Sequence, residues 1–241
     1  MSREYGLIGF KLGHSFSKRY FTDFFEKEGL SDCSYESYSF EDISTVREVV
    51  GHLQGFSVTI PHKRTIIPFL NSLSKEAAEM GAVNCVRVLA NGDMRGYNTD
   101  CYGFEVALLD MLGEKRPNAF VLGTGGASKA VCYTLKKLGI SFQEVSRNSS
   151  NGVLTYEQLT PLMMADALVV NTTPLGMFPI VDGAPKIPYE GLTPKSYLFD
   201  LVYNPADTLF TRNGRRQGAP VKSGYQMLVE QAQKAWQIYN E

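Results

Sequence analysis

One stretch leaves this chain few folds to choose from: Phe120-Val121-Leu122-Gly123-Thr124-Gly125-Gly126-Ala127-Ser128-Lys129-Ala130. An apolar run breaks into glycines, and Ala127, Ala130, Val131, Thr134, Leu135 and Leu138 then recur at helical spacing. The pattern is strand, tight turn, helix. Glycines at 123 and 125 let the backbone turn sharply and approach a pyrophosphate held on free N–H groups at the helix N-terminus. The plainer alternative is a glycine-rich turn without a ligand, because one such pattern is common, and Ser128 stands at the third glycine position. Residues 140–145 read as the next strand, which runs out into Ser146-Arg147-Asn148. An NAD site places an acid near there for the ribose 2′-hydroxyl, whereas a guanidinium suits a 2′-phosphate, so NADP is expected over NAD. The alternative is a solvated arginine, since Ser149, Ser150 and Asn151 bring no second cation.

Upstream, residues 5–10 read as a strand, followed by a turn in which Ser17 is the expected N-cap of a helix carrying Tyr20, Phe21, Phe24 and Phe25 and ending near Gly29. Alternation over 33–40 predicts a second strand. Ile43, Val46, Val49, Val50 and Leu53 trace a helix face, and 55–60 gives a third strand. This β-α-β-α-β order implies a small layer of parallel strands. Pro61-His62-Lys63 ends the third strand at the sheet edge where open α/β folds bind ligands. Lys63 there is either placed for chemistry or a surface lysine capping a turn. Helical segments follow at 66–70 and 75–80, then two strands, 82–88 and 94–98, bracketing the hairpin signal Asn91-Gly92. Thr99-Asp100 starts a helix over 101–112, which makes Asp100 a first-turn acid or a partner for Lys63.

Beyond the glycine loop, residues 167–171 form a strand ending in Thr172-Thr173-Pro174-Leu175-Gly176-Met177, a second turn where a nicotinamide ring could rest. Residues 178–195 read as a surface connection, 197–202 and 221–223 as strands. Gly224 opens a last helix with Leu228, Ala232, Ala235 and Tyr239 as its buried stripe and Gln231 on the stripe's edge.

Net charge removes several function classes. With 24 Lys and Arg against 25 Asp and Glu, the chain has no basic field for nucleic acid or an anionic membrane, so the expected partner is a small molecule met by a few placed groups. Four scattered cysteines and three histidines lack zinc-ligand spacing, so no metal is expected and the thiols read as reduced. No signal-type apolar region follows Met1 and no run approaches a membrane span, which makes the cytoplasm the expected compartment.

Taken together, an ordered set of motifs resembles the shikimate dehydrogenase family along nearly the whole chain. They are Gly13-His14-Ser15-Phe16-Ser17; Ser57-Val58-Thr59-Ile60-Pro61-His62-Lys63; Gly81-Ala82-Val83-Asn84; Gly96-Tyr97-Asn98-Thr99-Asp100; the glycine loop; Asn171-Thr172-Thr173-Pro174-Leu175-Gly176-Met177; Asp200-Leu201-Val202-Tyr203-Asn204-Pro205; and Met227-Leu228-Val229-Glu230-Gln231-Ala232. The resemblance implies a two-domain α/β fold: residues 1–100 bind substrate, 101–220 form a Rossmann-like NADP domain, and helix 224–241 packs back on the first. It implies reversible hydride transfer between NADPH and C3 of 3-dehydroshikimate, a step of aromatic amino acid biosynthesis, by a monomer or homodimer.

By the same resemblance Lys63 and Asp100 are the catalytic pair. Ser15, Ser17 and Tyr203 hold the substrate carboxylate, and Thr59, Asn84 and Gln231 hold ring hydroxyls. The cofactor falls to Gly123, Thr124, Gly125, Gly126, Ala127, Ser146, Arg147, Asn171, Thr172, Thr173, Leu201 and Gly224. The chain departs from the family where Lys18, Arg19, Tyr20 and Phe21 replace a Pro and a His-Asn pair, and where Ser146-Arg147-Asn148 replaces Asn-Arg-Thr. Rival readings are a quinate- or NAD-using relative, a methylene-tetrahydrofolate dehydrogenase, which leaves the Ser15 and Ser17 turn unexplained, and a non-catalytic nucleotide-binding regulator, which has no need of Lys63 and Asp100.

Overall fold

A computed structural model of the chain describes residues 2–13, 16–148 and 152–241. Its contacts divide into two compact units, Met1–Thr99 with Ala232–Glu241, and Asp100–Gln231.

The first unit runs β1 (Arg3–Gly9), α1 (Phe16–Lys27), β2 (Cys33–Ser39), α2 (Val46–Val50), β3 (Gly55–Val58), β4 (Ser72–Leu73), α3 (Lys75–Met80), β5 (Cys85–Val88) and β6 (Met94–Tyr97). Its sheet has the order β2-β1-β3-β5-β6-β4. β1 pairs in parallel with β2 and β3, as the β-α-β-α-β pattern predicts, while β5 pairs antiparallel with both β3 and β6. The second of those pairs is the Asn91-Gly92 hairpin. Both faces of β1 are covered: Tyr5 and Leu7 pack with Phe21 and Phe25 of α1 and with Ala235 and Tyr239, whereas Ile8 packs with Val46, Val50 and Leu53. That double burial explains why β1 reads as a nearly continuous apolar run.

Three details differ from the sequence reading. Ser17 is the second residue of α1 rather than its N-cap. Val49 of the expected buried helix face is 40% exposed, because α2 is a single short turn and only Val46 and Val50 face the sheet. The two-residue strand β4 carries too little pattern to be seen in sequence.

The second unit runs α4 (Asp100–Leu112), β7 (Ala119–Leu122), α5 (Gly126–Lys137), β8 (Phe142–Ser146), β9 (Val153–Thr155), α6 (Pro161–Met164), β10 (Leu168–Asn171), β11 (Tyr197–Asp200), α7 (Leu209–Arg216), β12 (Val221–Ser223) and the start of α8 (Tyr225–Tyr239). The helix α8 crosses the division, with Ala232 onward assigned to the first unit. Every strand pair is parallel, in the order β12-β11-β10-β7-β8-β9. From β7 the chain steps outward to β8 and β9, then returns to lay β10 on β7's other side. This is the doubly wound order of dinucleotide-binding folds, with its switch point between β7 and β10. All four residues of β7 are buried; Val121 faces Phe104, Leu108 and Val131, while Phe120 and Leu122 face Val145, Val169 and Phe210. Residues 178–195 are more than a surface connection. Ile187 and Leu192 enter the core, and a 3-10 turn at Tyr189–Gly191 lies so close to Pro161 that a Cβ on Gly191 would stand 2.1 Å from its carbonyl oxygen.

Candidate active site

In the first unit the motif residues gather at the C-terminal end of β3. The Thr59 N–H donates to the Ile8 carbonyl (2.8 Å), so the strand's pairing continues one residue past β3 and fixes where Thr59 sits. His62 folds back on it, its N–H donating to the Thr59 carbonyl (2.9 Å). The His62 ring is buried, with Nε2 donating to the Phe40 carbonyl (2.8 Å) and Nδ1 facing Thr65 Oγ1 (3.2 Å). A carbonyl only accepts, so the ring carries its proton on Nε2. Lys63 follows, half-buried, with its carbonyl accepting from the Val83 N–H (2.7 Å). Lys63 therefore sits on a turn pinned at three points.

Asn84 is placed by β5's approach to β3. Its carbonyl accepts from the Val58 N–H (2.8 Å), its Nδ2 donates to Thr99 Oγ1 (3.1 Å) and its Oδ1 accepts from the Thr99 N–H (2.6 Å). Thr59, Lys63 and Asn84 are thus brought together within one unit. Ser17 is on the first turn of α1, and Ser15 lies outside the described residues.

In the second unit two loops flank the switch point. Gly123 has φ +105, a conformation that side chains rarely adopt, and a Cβ there would stand 2.8 Å from Thr172 Oγ1. Its N–H donates to the Val145 carbonyl of β8 (2.8 Å). Gly125 is the N-cap of α5, and a Cβ on Gly125 or Gly126 would meet nothing within 4 Å. The start of a three-turn helix is thus bare of side chains, as a pyrophosphate cradle needs. Ser128, where the fingerprint has glycine, is buried and donates to the Gly125 carbonyl (2.7 Å), bracing the loop from behind. At the end of the adjacent β8, Ser146 is half-buried and Arg147 is exposed, with its charge felt by the Tyr156 hydroxyl, whose pKa burial raises and Arg147 draws back.

The second loop leaves β10. Thr172 Oγ1 donates to the Leu122 carbonyl (2.7 Å), seating this loop on the glycine loop. The Leu201 N–H donates to the Asn171 carbonyl (2.9 Å), and Gly224 approaches so closely that a Cβ would lie 2.2 Å from the Leu201 carbonyl oxygen. Asn171, Thr172, Thr173, Leu201 and Gly224 therefore meet along the C-terminal edge of β10, β11 and β12. Gly123, Thr124, Gly125, Gly126, Ala127, Ser146 and Arg147 occupy the same edge at β7 and β8.

Residues 7–86 match a family model described as the shikimate dehydrogenase substrate binding domain. A shikimate dehydrogenase (NADP(+)) of Clostridium beijerinckii is 35% identical over 98% of this chain and 92% of its own. The chain belongs to the shikimate dehydrogenase family. Among solved structures, a family member from Thermus thermophilus in complex with NADP(H) and shikimate is 28% identical, with a TM-score of 0.87 over 98% of this chain and 93% of that one. A quinate dehydrogenase from Corynebacterium glutamicum in complex with NAD is 26% identical, with a TM-score of 0.89 over 99% and 93%.

Membership directs attention to the remaining motif residues. Asp100 opens α4; Tyr203 follows β11 and is 38% exposed; Gln231 donates through Nε2 to the Leu228 carbonyl (3.1 Å) on α8. Among the described residues no group of three or more His, Cys, Asp or Glu side chains is placed to hold a metal, and no helix is long and apolar enough to cross a membrane. Sequence reasoning gave no role to Asp200, which is fully buried and accepts from Asn171 Nδ2 (2.9 Å), the Val202 N–H (3.1 Å) and Thr208 Oγ1 (2.6 Å). The available signal was a carboxylate closing the otherwise apolar run Tyr197-Leu198-Phe199.

Proposed function

We propose that the chain is an NADP-dependent oxidoreductase that interconverts 3-dehydroshikimate and shikimate within aromatic amino acid biosynthesis. The observation that carries the reading is the pairing of a doubly wound sheet, open at its switch point beside Gly125 and Gly126, with a family whose members include NADP-dependent enzymes acting on shikimate. When bound, NADPH supplies a hydride to C3 of the ring. The bare start of α5 would hold the pyrophosphate, Arg147 and Ser146 would meet the 2′-phosphate, and Thr172, Thr173, Leu201 and Gly224 would border the nicotinamide end, with the expected cofactor residue Asn171 wholly buried behind them and acting through Thr173.

Ser15, Ser17 and Tyr203 take the substrate carboxylate, and Thr59, Asn84 and Gln231 take ring hydroxyls. A pocket that hydrogen-bonds each hydroxyl rejects analogues lacking one. Lys63 and Asp100 form the proton-transfer pair. During reduction the Lys63 ammonium gives a proton to the C3 oxygen as that oxygen gains the carbonyl's electron pair; during oxidation the neutral amine takes it back. Cofactor recognition falls to residues of the second unit and most of substrate recognition to the first, with Asp100, Tyr203 and Gln231 belonging to the second.

Arg147 supports NADP over NAD, because neither 146 nor 147 is an acid to hold a free ribose 2′-hydroxyl. The test is the initial rate of shikimate oxidation with NADP+ and with NAD+, for wild type and Lys63→Ala. NADP+-dependent turnover that falls about a thousandfold in a folded variant still binding shikimate is expected, within the usual range for a lost general acid or base. Absence of turnover by wild type with either cofactor overturns the reading.

A further inference from the structure

The geometry points to Asp200 as the positioning residue for the nicotinamide end of the cofactor site, acting through Asn171 on the Thr172–Thr173 turn; this deepens the function proposed above and rests on it. Asp200 and Asn171 are wholly buried and Thr208 is 1% exposed, so Asp200 touches neither solvent nor a ligand at the sheet edge. All three of its partners donate. Asn171 Nδ2 and the Val202 N–H converge on Oδ1, and Thr208 Oγ1 reaches Oδ2.

That arrangement settles the orientation of the Asn171 amide. Its NH2 must face the carboxylate, which turns its Oδ1 outward, where it accepts from the Thr173 N–H (3.0 Å) and Thr173 Oγ1 (2.7 Å). Thr173 Oγ1 in turn accepts from the Leu175 N–H (3.3 Å). With the amide reversed, acceptor would face acceptor at the carboxylate and donor would face donor at Thr173. The loop has little slack to absorb such a change, because Thr172 Oγ1 already lies against Gly123 and bonds the Leu122 carbonyl. A buried side chain at the end of β11 thus sets where the two threonines stand after β10. Burial raises the Asp200 carboxyl to about 6, as expected for an acid held by neutral donors rather than by a cation.

The test separates the two ends of the cofactor. Shikimate oxidation kinetics are measured for wild type, Asp200→Ala and Asp200→Asn, alongside calorimetric binding of 2′,5′-ADP, which carries the adenosine half and 2′-phosphate but no nicotinamide. Asp200→Ala is expected to lower kcat/KM for NADP+ at least tenfold and to leave 2′,5′-ADP affinity and the shikimate KM within twofold. Asp200→Asn retains an acceptor for Asn171 and is expected to recover kcat/KM to within threefold of wild type. A folded Asp200→Ala that weakens 2′,5′-ADP in parallel, or that leaves kcat/KM unchanged, overturns the inference. Should Asp200→Ala fail to fold, Thr208→Val and Thr208→Ser are read the same way, with an approximately threefold loss for valine, restored by serine; no difference between them overturns it. A wild type that turns over shikimate with neither cofactor instead refutes the function on which the inference rests.

Discussion

The two units reach the same end, a set of functional groups at a sheet's C-terminal edge, by different means. In the first, a mixed sheet holds Thr59, Lys63 and Asn84 chiefly through backbone hydrogen bonds, with the His62 ring as a buried side-chain anchor. In the second, an all-parallel sheet supplies the edge through its switch point, and the loops are held by a left-handed glycine and a buried carboxylate network. The difference follows from the ligand groups proposed for each. A polyol acid needs side chains that project, so the backbone behind them is paired and fixed. A pyrophosphate needs bare N–H groups, so the loop gives up side chains and takes its rigidity from behind.

This contrast predicts separable damage. The largest effect short of Lys63 is expected for Arg147→Ala, which should raise the KM for NADP+ roughly ten- to a hundredfold, the worth of a charge-assisted phosphate contact, while leaving NAD+ and shikimate parameters within twofold. An equal change with both cofactors would break the assignment of Arg147 to the 2′-phosphate.

The buried carboxylate of the second unit gives a pH signature of its own. Burial raises Asp200 to about 6 from its ordinary 3.8, so the folded chain takes up a proton before the unfolded chain as pH falls. This group's contribution therefore makes the fold more stable as pH drops from 6 towards 4, by at most about 3 kcal/mol, and withdraws that gain as pH rises again. Asp200→Asn should remove this part of the pH dependence in urea titrations followed by circular dichroism. An unaltered difference between pH 4 and pH 6 would show that Asp200 is not the titrating group.

Gly123→Ala should cost about 1–3 kcal/mol, since it combines a positive φ with an approach to Thr172 Oγ1, and its loss of kcat/KM should fall on NADP+ and not on shikimate. The smallest effect, about 1 kcal/mol of stability, is expected for His62→Leu, which orphans the buried Phe40 carbonyl. Here the kinetic change should appear with shikimate and spare 2′,5′-ADP affinity. If His62→Leu disturbed cofactor binding instead, the separation of roles between the units would fail.

The C-terminal half of the site was readable in part because its signals are local. Gly123, Gly125 and Gly126 sit in one strand-turn-helix, and the positive φ that makes Gly123 necessary is a property of the residue itself. Lys63 was placed at a strand end by Pro61 alone. Ser17, by contrast, was misplaced at a helix cap, because capping and first-turn serines look alike when the helix start is uncertain by one or two residues. The segment 178–195 was misjudged since its Pro and Gly content conceals the few apolar side chains, Ile187 and Leu192, that tie it to the core.

By itself, then, the sequence determined the alternation of strands and helices, the glycine turn, the missing acid after β8 and the ordered motifs that mark the family, since each depends on neighbours within a few residues. Tertiary structure alone decided that β10 returns to lie beside β7, that Ser128 braces the loop where a glycine was expected, and that Asp200, 29 residues after Asn171, faces its amide. Those facts rest on strand order and long-range hydrogen bonds. A chain position carries no mark of which distant donor will meet it once the sheet has closed around both.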